Sequence, residues 1–307
     1  MRAFVTGGTG FLGAHLVRHL LGEGDDVAVL IRPDCNGWRM ADVRNDVTTI
    51  VGDIDAAPDI GDRLLAWSPD VVYHLAWEGI HGNDRNSIGP VRRNVSGALD
   101  ILEVAAAAGC HTWVGLGSQA EFGPTTDPLS ESSTLRPVSA YGASKLAAGQ
   151  LTGNLCRALG IKHTWLRLLS AYGPMDQPTY LIPYVIGELL AHRRPALSEG
   201  SQPHNTLHAD DVASALRQAA VSPGCAGTFV LCAGEAPTVR ELAISIRDIA
   251  APGAPLGFGE RGVVSAGHSG SANAFRAATT WDTAVNLEDG LRETVDWYRG
   301  AAVGTSA

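Results

Sequence analysis

Tyr141 and Lys145 stand four residues apart in the stretch 139–159, which carries its polar residues on one side of a predicted helix. Residues at that spacing share a helix face and reach one another. A free phenol with a pKa near 10 is a poor acid–base group at neutral pH, but an adjacent ammonium favours the phenolate and draws the value toward the working range. The chain has two lysines, Lys145 and Lys162, among 23 basic residues. Six tyrosines would meet one of them at +4 by accident with odds of about 0.04. Ser118 follows the apolar run Trp113 to Leu116, at the carboxyl edge where open α/β sheets bind ligands. Its hydroxyl can give a second hydrogen bond to a carbonyl oxygen that gains charge as hydride adds to the carbon.

A phosphate-binding turn lies upstream. Thr6-Gly7-Gly8-Thr9-Gly10-Phe11-Leu12-Gly13 sits where the apolar run 2–6 hands over to leucines at helical spacing. Gly8, Gly10 and Gly13 satisfy G-x-G-x-x-G, and Gly7, Gly10 and Gly13 satisfy a G-x-x-G-x-x-G variant. Either lets backbone approach a pyrophosphate while a helix N-terminus faces its charge. NAD calls for a ribose-reading acid at the end of the second strand, about 20 residues on. That place holds Ile31 followed by Arg32. An arginine there neutralises a 2′-phosphate, so NADP(H) is favoured over NAD(H), with Asp34 nearby as the feature against it. Asp53, at the end of another apolar stretch, is placed to accept from the adenine amino group.

The elements that must hold these residues read as α/β. Val27 to Ile31, Val71 to Ala76, Trp113 to Leu116 and Thr164 to Leu169 are apolar runs separated by helical stretches. Continuous rather than alternating runs imply strands covered on both faces, hence a parallel, doubly wound sheet. Residues 1–173 form the expected dinucleotide-binding unit. Residues 174–300, punctuated by prolines, form a smaller, loop-rich substrate unit, with about 211–233 packing back on the first sheet and 301–307 as a tail.

The formal charge is −9, which offers no basic field to nucleic acid or an anionic membrane. No apolar run reaches the roughly 20 residues that span a bilayer, and a glycine turn at Gly7 leaves no room for a signal peptide; a cytoplasmic protein is expected. The five cysteines form no C-x-x-C pair and read as small buried residues. His204 and His208 have i,i+4 spacing but lack further ligands, so no metal is expected.

With these residues in view, the sequence resembles the extended short-chain dehydrogenase/reductase (NAD-dependent epimerase/dehydratase) family over nearly its whole length. The resemblance rests on the glycine turn, Gly52-Asp53, His74-Leu75-Ala76, Asn94, Gly117-Ser118-Gln119-Ala120-Glu121-Phe122-Gly123, Tyr141-Gly142-Ala143-Ser144-Lys145, Tyr172-Gly173-Pro174 and Leu207-His208-Ala209-Asp210-Asp211. It implies a Rossmann sheet and a catalytic set of Ser118, Tyr141 and Lys145, Lys145 also holding the nicotinamide ribose. It places cofactor against Gly7, Gly10, Phe11, Leu12, Gly13, Arg32, Asp53, Ile54, Leu75, Ala76, Asn94, Tyr141 and Lys145. Substrate is placed against Trp77, Gln119, Ala120, Glu121, Ser170 and His204.

Within the family, 4,6-dehydratases carry an Asp-Glu pair directly after the position matched by Ser118. Gln119 and Ala120 stand there, which argues against dehydration. The stretches 74–79 and 117–124 look most like reductases that convert a nucleotide-linked 4-keto-6-deoxyhexose to its 4-hydroxy form. The resemblance also favours a homodimer through two helices, one containing Tyr141. Ser170 and His204-Asn205 depart from the family at positions that often contact a substrate diphosphate, leaving that grip to His204 or a basic side chain such as Arg276. Three readings follow: an NADP(H)-dependent 4-ketoreductase, an NAD-dependent nucleotide-sugar 4-epimerase, and a dinucleotide-sensing regulator without chemistry.

Overall fold

The structure is a computed structural model and describes residues 1–80, 82–262 and 267–304. The chain opens with β1 (Arg2–Thr6), α1 (Phe11–Gly22), β2 (Asp26–Ile31), β3 (Thr48–Val51), α2 (Gly61–Trp67), β4 (Val71–His74) and α3 (Ile88–Ala107). It continues with β5 (Thr112–Ser118), α4 (Ala140–Leu159), β6 (Lys162–Leu168), β7 (Ala171–Tyr172), α5 (Leu181–Leu190), β8 (Leu207–His208), α6 (Ala209–Val221) and β9 (Gly227–Leu231). Helices α7 (Val239–Ala250), α8 (Asn273–Ala278) and α9 (Leu287–Gly304) complete it.

Seven parallel strands lie in the order β3-β2-β1-β4-β5-β6-β9. Strand β1 shows why its run is continuously apolar: Ala3 and Val5 enter the core under α1 and α6, while Phe4 enters the opposite core with residues of α3. Burying a side chain of that size contributes about 1.5–3 kcal/mol. The order reverses between β1 and β4, and at such a switch point the carboxyl ends of the strands leave a crevice for ligand. The glycine turn after β1 and the segment after β4 are its two sides.

Strand β3 adds a member to the expected set. Its sequence Thr-Thr-Ile-Val buries only Ile50, because it is an edge strand with one covered position, and so it gives no continuous apolar run. The C-terminal half holds more helix than its prolines announce. Helices α5, α7 and α9 share a core around Ile182, Leu242 and Leu291. Strand β9 extends the main sheet beside β6, and α6 packs on α1. Four of the five cysteines are buried and all are free.

Candidate active site

The glycine turn is built by crowding. Gly7 has φ +75°, and a Cβ there would lie 2.6 Å from the Ala76 backbone nitrogen. A Cβ on Gly13 would lie 2.0 Å from the Gly7 carbonyl oxygen, which receives the Gly10 N–H at 3.0 Å. Side chains at these places would fill the cradle that a pyrophosphate needs. No side chain caps α1, so its first N–H groups are left for an anion. These features fit a dinucleotide.

The turn opens into a cleft of about 1250 Å³. Its walls include Gly7, Gly10, Phe11, Leu12, Gly13, Arg32, Asp53, Ile54, Leu75 and Ala76 on the side expected for cofactor. Trp77, Gln119, Ala120, Ser170 and His204 line it as well, together with Ser118, Tyr141 and Lys145. The fold therefore brings both sets to one cavity. Two expected residues stay out of the lining. Asn94 is buried behind it and clasps the backbone of Glu78, its Oδ1 accepting from the Glu78 N–H and its Nδ2 donating to the Glu78 carbonyl, both at 2.9 Å. Glu121 is fully buried and bonded to Ser118, Trp165 and Arg167, so the expectation that it touches substrate gives way to a place beneath the floor.

Ser139 caps α4 by accepting from the Gly142 N–H at 3.1 Å, which sets Tyr141 in the first turn and Lys145 one turn later on the inward face. Ser118 ends β5 and starts a one-turn 3-10 helix, its hydroxyl accepting from the Ala120 N–H at 3.2 Å. Burial pushes the Tyr141 phenol up from its ordinary value, while a hydrogen bond with Ser118 and the charge of Arg85 oppose the rise. The Arg85 guanidinium sits 4.6 Å from the Tyr141 ring centroid.

The expected direct tuning by Lys145 takes another form. Its Nζ donates to the Leu116 carbonyl at 2.6 Å and stands 3.8 Å from the Trp77 ring centroid. Burial pulls this ammonium down to about 7, and the Glu121 carboxylate opposes the fall. His74, bonded through Nδ1 to Thr6 Oγ1 at 3.0 Å, is held neutral by burial, its pKa lowered to about 3.

At the end of the cleft beside β2, Arg32 pairs with Glu78 at 3.1 Å. Arg93, from α3, reaches Asp53 at 2.5 Å, Asp55 at 3.2 Å and Glu78 at 3.5 Å. Asp53 also accepts from the Ile54 N–H at 2.7 Å. At the other end, His204 is neutral at neutral pH because burial lowers it to about 4, so it can donate a hydrogen bond but not a charge. Arg276 is bound to Asp282 at 2.8 Å and does not line the cleft. A side cavity of about 370 Å³ shares Gln119, Ser170, His204 and His268 with the cleft and includes Arg261. The sequence reading missed Glu78, Arg85, Arg93 and Arg261. They reach the site from separate turns and helices, and no local pattern marks them.

The sequence model of the NAD dependent epimerase/dehydratase family matches residues 3–230. The chain belongs to that family. A dTDP-glucose 4,6-dehydratase of Streptomyces griseus is 31% identical, over 96% of this chain and 93% of its own length. A second, from Mycobacterium tuberculosis, is 29% identical over 97% and 93%. Among solved structures, the UDP-glucose 4-epimerase of Thermotoga maritima with UDP-glucose superposes with a TM-score of 0.87 at 22% identity, covering 98% of this chain and 100% of its own. The UDP-glucose 4-epimerase of Thermus thermophilus in complex with NAD gives 0.86 at 24%, with coverages of 98% and 100%. These two likenesses establish the fold. Family membership makes the chain an epimerase/dehydratase-type enzyme with a dinucleotide cofactor.

Proposed function

We propose that this family member reduces the C4 ketone of a nucleotide-linked 4-keto-6-deoxyhexose with NADP(H). One juxtaposition carries the reading. Ser118, Tyr141 and Lys145 share the cleft with the glycine turn, while Gln119 and Ala120 occupy the two lining positions where dehydration would need an acid and a base. The nucleotide sugars named for the relatives supply the substrate class. Bound in the cradle of Gly7, Gly10 and Gly13, the reduced nicotinamide supplies hydride. Ser118 donates a hydrogen bond to the ketone oxygen, and Tyr141 gives that oxygen its proton. Lys145 holds the nicotinamide ribose. Arg32 and Arg93 face the adenosine ribose as candidates for a 2′-phosphate, and Arg261, with His204 as a neutral donor, faces the substrate diphosphate.

An NAD-dependent 4-epimerase is the second reading, and the pairing of Arg32 with Glu78 favours it because that carboxylate competes with a 2′-phosphate. Among the described residues no helix is long and apolar enough to cross a membrane. The proposal adds a cytoplasmic homodimer joined through α3 and α4, where Leu151, Leu155 and Leu159 stand exposed.

Absorbance of the reduced nicotinamide decides between the readings. With a panel of nucleotide-linked 4-keto sugars it is expected to fall in proportion to the sugar added, faster with NADPH than with NADH. Turnover of sugar nucleotide without net cofactor consumption replaces the ketoreductase by the epimerase. Tyr141→Phe is expected to lose about 10²–10⁴ in rate and still bind cofactor. A sensing protein would keep its function with that change.

A further inference from the structure

Beneath Ser118 the chain buries a carboxylate that proton transfer leaves without a task. Glu121 has no exposed surface. Its Oε1 accepts from the Ser118 N–H at 2.9 Å and from Trp165 Nε1 at 3.0 Å, and its Oε2 accepts from Arg167 Nε at 2.7 Å. Three glycines hollow out this place. A Cβ on Gly117 would lie 2.4 Å from both Glu121 Oε1 and Trp165 Nε1, on Gly115 2.3 Å from Trp165, and on Gly149 2.8 Å from Trp165. Packing alone does not call for a buried ion pair, since apolar side chains of similar volume are often neutral or stabilising in its stead.

The face of the same Trp165 indole meets Lys145, whose Nζ lies over the ring 5.8 Å from its centroid. Four ionisable groups stand around this place: His74 on β4 and Glu121 after β5, both of which feel the Lys145 charge, Arg167 on β6, bound to Glu121, and Tyr141 one turn before Lys145 on α4. His74 and Tyr141 are neutral and Arg167 is a cation, so Glu121 is the one anion of the four. We propose that Glu121 is a positioning residue for the proton-transfer set. It fixes the Ser118 backbone at the end of β5 and supplies the counter-charge that keeps the Lys145 ammonium charged in its aromatic surroundings. The proposal rests on the assignment of Ser118, Tyr141 and Lys145 above.

Having two lysines makes the test direct. Protein labelled with ¹³Cε-lysine gives two side-chain resonances, and Lys162→Arg identifies that of Lys145. In Glu121→Gln the Lys145 titration midpoint is expected to fall by about one pH unit, the scale of a lost opposite charge. Glu121→Asp, which keeps the charge, is expected to restore most of it. In turnover, Glu121→Gln is expected to lose tenfold or more in kcat near neutrality with KM for the ketone within twofold. The alkaline limb of its kcat profile should move to lower pH, because Glu121 raises both the Lys145 and Tyr141 values. A folded Glu121→Gln protein with an unmoved Lys145 midpoint overturns the proposal.

That variant leaves Arg167 buried without its partner. Should it not fold, Glu121→Leu with Arg167→Met is compared with Arg167→Met alone, and a lower Lys145 midpoint is expected in the double variant, an equal one overturning the proposal. The titration needs no substrate. Wild-type protein inert toward every 4-keto sugar would therefore sink the proposed reaction while the Lys145 resonance still decides the role of Glu121.

Discussion

At the rim of the cleft Arg32 and Arg93 share the Glu78 carboxylate, at 3.1 Å and 3.5 Å. Asn94 fixes the backbone of Glu78 through two hydrogen bonds, so its side chain alone can be altered without moving the loop. A 2′-phosphate must compete with that carboxylate for the guanidiniums. Glu78→Gln removes the competitor, and the NADPH KM is expected to fall about two- to fivefold against an unchanged NADH KM, the range of a partly exposed ion pair. Steady-state kinetics with both cofactors check this; equal changes for the two would mean that neither arginine reads the phosphate. Arg32 was legible because its position after the second strand is fixed by the fold. Glu78 and Arg93 were not, because each acts by converging from another element. The Tyr141–Lys145 spacing was legible as a shared helix face, but spacing could not reveal that Lys145 turns to the Leu116 carbonyl and Trp77 while Arg85 covers the phenol.

Helix α4 carries two jobs on opposite faces. Tyr141, Lys145, Ala148, Thr152 and Cys156 point inward, and Leu151, Leu155 and Leu159, four apart, form an exposed stripe. Apolar residues at that spacing on a free face are the pattern of a helix that packs against a partner. Leu155→Asp is expected to convert the proposed dimer to a monomer in light scattering after size exclusion, with cofactor binding retained. A wild-type monomer, or a variant that remains dimeric, refutes the face. The same reasoning about faces explains what was readable among the elements. Strands buried on both sides announce themselves as apolar runs, whereas β3 at the sheet edge does not. Helix α7 did leave a signal: Thr238 and Glu241 form a capping box ahead of an amphipathic stretch, a start mark that the surrounding prolines and glycines obscured.

Across the whole molecule, Asp176 marks where the sheet and the C-terminal helices meet. Its carbonyl accepts from the Tyr298 hydroxyl of α9 at 2.7 Å, and its Oδ1 accepts from the Gln177 N–H at 2.7 Å. Its Oδ2 is buried without a hydrogen-bond partner. Burial raises this carboxyl to about 7, against an unfolded value near 3.8. Between those values the folded chain holds a proton that the unfolded chain has released, so this group's contribution to stability falls as pH rises and is lost above about pH 7. Buried histidines act in the opposite sense. His74 is lowered to about 3, and His163 and His204 to about 4, so their contributions are present above pH 6.5 and lost as pH falls below it. The two slopes overlap in the wild-type protein, and Asp176→Asn separates them. Its urea midpoint is expected to exceed that of the wild type at pH 8, by on the order of 2 kcal/mol of stability, and to converge on it as the pH falls to about 4. Asp176 also lines the cleft, which makes denaturation rather than turnover the proper readout. An equal displacement at both pH values would mean that the substitution acts through packing at the junction and that the carboxyl is ionised in the folded protein throughout this range.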